Sequence, residues 1–162
     1  MRTMLAVALL GLGVSIACAG RTATTAAGPA QPGSTGAQAA ATLTVQEYDG
    51  FEKKIGDAFT MLQTHVAARD GQGTTKDAEQ LSIVFGDTEQ FWTQNKKADA
   101  ARWAQQSRTF ATQIAGASTA GDLTKAKQVS DTLQRTCTQC HQAYRQSDAA
   151  GGFAIKAGVV RQ

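Results

Sequence analysis

The sequence predicts an all-α protein built as an antiparallel four-helix bundle, and three observations carry that prediction. Between residues 44 and 147, apolar side chains recur at spacings of three and four in four separable segments. The same stretch contains no proline, and short joints bearing Gly or Asp separate its segments. No alternating strand pattern competes with the helical one. Amphipathic helices joined by short loops bury their stripes as antiparallel neighbours.

The first segment, about Val45 to Ala68, puts Phe51, Ile55, Ala58, Phe59, Leu62 and Val66 on one stripe, with Glu52, Lys53, Asp57 and Gln63 away from it. "RDGQG", residues 69 to 73, is expected to end this helix, since two glycines supply a C-terminal stop. The second segment is expected to open at Thr74 or Thr75 as N-cap and to run to about Asn95, carrying Ala78, Leu81, Val84, Phe85, Thr88 and Trp92 inward around an interior Gly86. A third, about Asp99 to Ala117, places Ala100, Trp103, Ala104, Ser107, Phe110, Ala111 and Ile114 on its buried side. The fourth starts with Asp122 as cap, and Leu123, Ala126, Val129, Leu133, Cys137, Cys140 and Tyr144 follow at heptad-like intervals. The aromatic residues of these stripes read as core filling. The tail, residues 148 to 162, is Gly-rich and expected to be irregular, with Phe153 and Ile155 folding back onto the bundle.

Upstream of the bundle, residues 1 to 18 combine a charged Arg2 with an apolar run from Met4 to Ala17 that is too short to cross a bilayer, which reads as a secretory signal. Two processing schemes stand open. Cys18 becomes a lipidated first residue that attaches the protein to a membrane, or Ala17 and Ala19 frame an A-x-A cleavage site and the protein is released into the periplasm. Residues 19 to 43 hold both prolines and no charge after Arg21, so they are expected to form a flexible linker. The formal charge is +3, with no basic run longer than the pairs Lys53-Lys54 and Lys96-Lys97, which argues against nucleic-acid binding. In an exported protein, two thiols spaced Cys-x-x-Cys are expected to be bonded to each other, to a metal, or to another group.

"RTCTQCHQAYR", residues 135 to 145, concentrates the chemistry. Cys137, Cys140 and His141 are spaced three and four apart on the fourth helix, so they share one face. Cys-x-x-Cys-His reads as a c-type haem attachment site, with the thiols as thioether anchors and His141 as iron ligand. A structural zinc would need four ligands, and beyond this cluster the processed chain offers only His65 and Cys18. A thioredoxin-like pair would need a βαβ setting, and a plain disulfide leaves the adjacent histidine unexplained.

The stretch "GDLTKAKQVSDTLQRTCTQCHQAYR", residues 121 to 145, resembles the last helix of cytochrome c′, the class II c-type cytochromes, whose haem motif lies near the C-terminus. The resemblance covers roughly residues 46 to 147, in pattern only for the first three helices. It implies one covalent haem c, with His141 as proximal ligand, Arg145 beside it at the haem edge, and Tyr144 against the porphyrin. It also implies that Ile55 faces the distal side of the iron within an apolar pocket made with Phe51 and Phe59. Low-spin relatives use a methionine there, which makes Met61 the alternative sixth ligand, although it falls about 120° from Ile55 around the helix. His65, about 15 Å along the helix from Ile55, reads as a bundle-edge residue. The family's basic residue on the first helix, which meets a haem propionate, has no exact match here, and Lys53 or Lys54 could substitute for it.

The implied function is single-electron transfer with redox partner proteins of the periplasm, not enzymatic catalysis. The alternative is binding of NO or CO at a five-coordinate haem. A peroxidase-like activity is the third reading, for which only His65 offers an acid/base. Many members of that family form a homodimer through the first two helices, a partner that the sequence leaves open here.

Overall fold

The structure, a computed structural model, describes residues 42–149 and 152–160. The signal, the possible lipidation of Cys18 and nearly all of the linker lie outside the described residues. Four helices follow in order, α1 (Val45–Ala68), α2 (Gly71–Gln94), α3 (Ala98–Thr119) and α4 (Leu123–Tyr144), and then two short strands, β1 (Arg145–Ser147) and β2 (Phe153–Ile155). Two- and three-residue joints between long helices that pack on one another require antiparallel neighbours. The bundle closes where α1 meets α4, and this seam is the least contacted of the four.

Three of the four helices begin where a side chain replaces a missing backbone partner, and α3, which follows Lys97, has no such cap. Thr44 forms a capping box with Glu47, accepting from the Glu47 N–H at 3.2 Å while the Glu47 carboxylate accepts from the Thr44 N–H at 2.7 Å. Asp122 caps α4 through the Lys125 N–H at 2.9 Å, as its place in the sequence predicts.

The α1–α2 turn differs from the expectation. Arg69, not a glycine, adopts the left-handed conformation that ends α1, with φ 56° and ψ 32°. Asp70 then caps α2 by accepting from the Gly73 N–H at 3.0 Å, so both glycines lie inside the first turn of α2 and Thr74 is buried rather than capping. The glycine at 73 has a packing reason: a Cβ there would come within 2.6 Å of the His65 ring.

Two apolar clusters fill the bundle. The larger one includes Ile55, Leu62, Leu81, Phe85, Ile114 and Leu133, and Phe51, Phe59 and Val66 pack against it. Fully burying a Leu or Ile contributes about 1.5–3 kcal/mol. The second cluster, Tyr48, Phe91, Trp92 and Ala100, sits at the end of the bundle where α4 terminates. Tyr48 stacks on Phe91 with centroids 4.4 Å apart, and Trp92 lies 5.0 Å from Tyr144. The expected stripe of α2 is buried, with Phe91 and Thr74 added to it, whereas in α3 Ala100, Ala104, Ser107, Ala111 and Ile114 are buried but Trp103 and Phe110 stay partly exposed; in α1, Tyr48 joins the buried residues.

The tail is more ordered than expected. β1 and β2 pair antiparallel with Arg145 opposite Ile155 and Ser147 opposite Phe153, so residues 145–147 belong to a hairpin rather than to the last helix. Ile155 packs against the second cluster with Val159 and Val160, whereas Phe153 stays 63% exposed.

Candidate functional site

Cys137, Cys140 and His141 line one narrow cavity of about 30 Å³, where Ile55 and Phe85 of the larger apolar cluster meet them. Glu52 and Ile55 enter it from α1, Phe85 and Thr88 from α2, and Trp103, Ala104 and Ser107 from α3. The shared face predicted from the three- and four-residue spacing is thus turned inward, because Leu133 and Thr136, one turn earlier on α4, are buried in the same direction. Both thiols are free. Burial, reinforced by the Glu52 charge, pushes each of them up to about 12, so they are protonated at neutral pH.

Glu52 is the residue that sequence reasoning misplaced. Expected on the outer face, it stands largely buried, its side chain 17% exposed, with its Oε2 3.4 Å from His141 Nε2 and 3.1 Å from Arg145 Nη1. The Tyr48 hydroxyl donates to its Oε1 at 3.0 Å. Burial alone would raise this carboxyl; the contact with His141, the Arg145 charge and the Tyr48 bond together overcome that and hold it below the usual carboxylate range. A signal was present, since Tyr48, Glu52, Ile55, Phe59, Leu62 and Val66 form a four-three-four-three-four series and Glu52 occupies a stripe position in it.

Arg145 completes the group. Its Nη1 lies 2.8 Å from Nε2 and 3.3 Å from Nδ1 of His141. A guanidinium carries only donors, so a hydrogen bond from Arg145 requires an unprotonated ring nitrogen, whereas one from the same Nε2 to Glu52 requires a protonated one; the protonation state of His141 decides which of the two it makes. The i, i+4 relation between His141 and Arg145, expected from the sequence, therefore appears as a direct contact.

The remaining candidates fall in different places. Ile55 is 8% exposed and lines the cavity, while Phe59 packs in the larger core without reaching it. Met61 is 47% exposed on α1 and is not among the cavity residues. His65 lies at the α1–α2 turn, its Nδ1 2.6 Å from Asp77 and its Nε2 3.9 Å from Asp70. Lys53 pairs with Asp57 on the surface at 3.3 Å.

Tyr144 turns toward Trp92 and Trp103, and its hydroxyl donates to Asp99 Oδ1 at 2.6 Å. This bond gives a pH dependence with two edges. The Tyr144 bond holds Asp99 below its ordinary value, so the bond stabilises the fold above about pH 4 and is lost as pH falls through the depressed value. Burial and Asp99 push Tyr144 up to about 12, so the same contribution is full below about pH 10 and is lost as pH rises through 12. Tyr144→Phe is expected to lower the urea midpoint on the plateau between these limits, with the gap to wild type closing in acid; a gap independent of pH would contradict this account.

Among the described residues, no group of three or more His, Cys, Asp or Glu side chains is arranged to hold a metal ion by itself, and no helix is long and apolar enough to cross a membrane. Neither a protein-family model, nor a curated protein, nor a solved structure matches the chain.

Proposed function

We propose that this chain is an exported c-type cytochrome that binds one haem covalently through Cys137 and Cys140, with His141 as iron ligand, and that it transfers single electrons to periplasmic partners. The resemblance to cytochrome c′ is part of this proposal. The observation that carries it is the meeting of all three motif side chains with Ile55 in one cavity.

The donor set fits the group. Two free thiols and an imidazole come from consecutive turns of one helix, and the facing wall is apolar at Ile55, Phe85 and Trp103 and small at Ala104 and Ser107. Bound there, haem would supply a one-electron iron couple. If haem were bound, Ile55, Phe85 and Trp103 would keep water from it, and Arg145 and Glu52 would balance charge beside His141. The space does not yet suffice: about 30 Å³ compares with the roughly 300–1,000 Å³ of ordinary ligand sites, so α1 and α4 must part at their seam to admit the group.

The full chain, signal included, expressed in a bacterium equipped to mature c-type cytochromes, is expected to give a haem-stained band on a denaturing gel and one haem per chain by pyridine haemochrome assay. A mature chain without covalent haem would end the proposal.

One observation favours a second reading. Ile55, nearly buried beside His141, cannot ligate iron, and an apolar side chain there suits a vacant position open to NO or CO. A high-spin ferric spectrum and CO binding on reduction are the expected signs. Met61→Leu is expected to leave the haem spectrum unchanged, given the exposure of Met61, and His65→Gln likewise. A change of spin state in either variant would move the distal ligand to that residue.

A further inference from the structure

Arg145 leaves α4 in an extended conformation, with φ −103° and ψ 150°, while its N–H still bonds the His141 carbonyl. The hairpin it begins is tied back to the helix end. The Lys156 N–H donates to the Tyr144 carbonyl at 2.9 Å, and Lys156 Nζ donates to the Gln142 carbonyl at 2.8 Å, satisfying acceptors that a helix terminus leaves open. Ile155 adds an apolar anchor in the second cluster. Strand β2 is therefore held in place independently of Phe153.

Phe153 itself gains little from burial, being 63% exposed. One face of its ring is nevertheless covered, because the Arg145 guanidinium carbon sits 4.4 Å from the ring centroid. The same guanidinium touches Glu52 at 3.1 Å and His141 at 2.8 Å. We infer that Phe153 is a positioning residue: through its cation–π contact the C-terminal hairpin fixes the positive charge of Arg145 beside His141 and Glu52. A long side chain freed from the ring would spend more of its time in solvent, leaving the Glu52 carboxylate to act on His141 uncompensated.

The consequence at iron rests on the haem reading given above, whereas the clamp itself does not. In the haem-loaded full chain, Phe153→Leu is expected to lower the midpoint potential, since loss of a nearby cation favours ferric iron. Phe153→Tyr, which keeps the aromatic face, is expected to retain the wild-type value. In an Arg145→Gln background the Phe153→Leu shift is expected to vanish. An equal shift in both backgrounds, or a fall with Phe153→Tyr as large as with Phe153→Leu, would overturn the inference.

The haem-free full chain supplies the second readout. In urea unfolding, Phe153→Leu is expected to weaken folding roughly two- to five-fold when Arg145 is present and to have no effect when it is Gln. Additive effects there would also overturn the clamp. If Arg145→Gln prevents folding, Arg145→Lys serves as the background, with the coupling expected to shrink because the planar stacking face is gone. A wild-type chain that carries no haem defeats the electron-transfer reading, and the unfolding cycle then decides the clamp alone.

Discussion

Replacing Cys137 and Cys140 together with serine is expected to leave a chain from which acidified acetone extracts all haem, where the wild type retains it. The effect is all-or-none because a hydroxyl does not add to a vinyl group as a thiol does. Either single replacement is expected to keep one thioether and to shift the reduced absorption band, as one vinyl group stays unsaturated. The helix should tolerate the changes. Neither cysteine belongs to the fully buried core, and Ser differs from Cys by one atom. Far-UV circular dichroism close to wild type, combined with loss of acid-stable haem, is the outcome that assigns the thiols to attachment. Retention of covalent haem in the double variant would contradict the assignment.

The second large effect concerns the second apolar cluster, at the end of the bundle where α4 terminates. Trp92 is fully buried and touches Tyr48, Phe91 and Tyr144, so it joins α1, α2 and α4 there. Trp92→Ala is expected to cost about 3–5 kcal/mol, the range for emptying a large aromatic site. Against a total of roughly 5–15 kcal/mol for a domain, that loss threatens the native state itself. Urea denaturation of the haem-free chain measures it. Trp92→Phe is expected to cost well under half as much, for a reason visible in the structure. The Trp92 Nε1 is buried with no hydrogen-bond partner among the described residues, so this replacement removes a donor that already stands unsatisfied. Equal losses for the two variants would mean that ring volume is not what holds the three helices together.

The sequence made much of this architecture legible, and the exceptions share a cause. The three-four spacing located all four helices because burial requires it, and Ile55, Leu81, Trp92, Ile114 and Leu133 stand inside as their positions predict. The motif residues were equally legible, since spacing on a helix fixes their common face. Glu52 was missed because its charge outweighed its place on the stripe; its burial is offset by Tyr48 one turn away and by Arg145 and His141, more than eighty residues away in sequence. The start of α2 was missed because glycine ordinarily ends helices, whereas here His65 needs the space at Gly73. The hairpin was missed because two three-residue strands carry too short an alternation to read, and their pairing depends on how α4 ends.

The tightness of the cavity at the α1–α4 seam also bears on the order of events in maturation. The residues meeting there are some eighty to ninety positions apart, so by loop-closure entropy this seam is expected to form after the local α2–α3 and α3–α4 pairings. Before it forms, Cys137 and Cys140 lack the burial that the seam provides; once it forms, burial and the Glu52 charge push both thiols up to about 12, which suppresses the small fraction of reactive thiolate. On the proposed reading, docking of α1 acts as a deadline. On that reading haem would reach the thiols before the first helix closes over the fourth, and a chain that closes early would wait for the seam to part again.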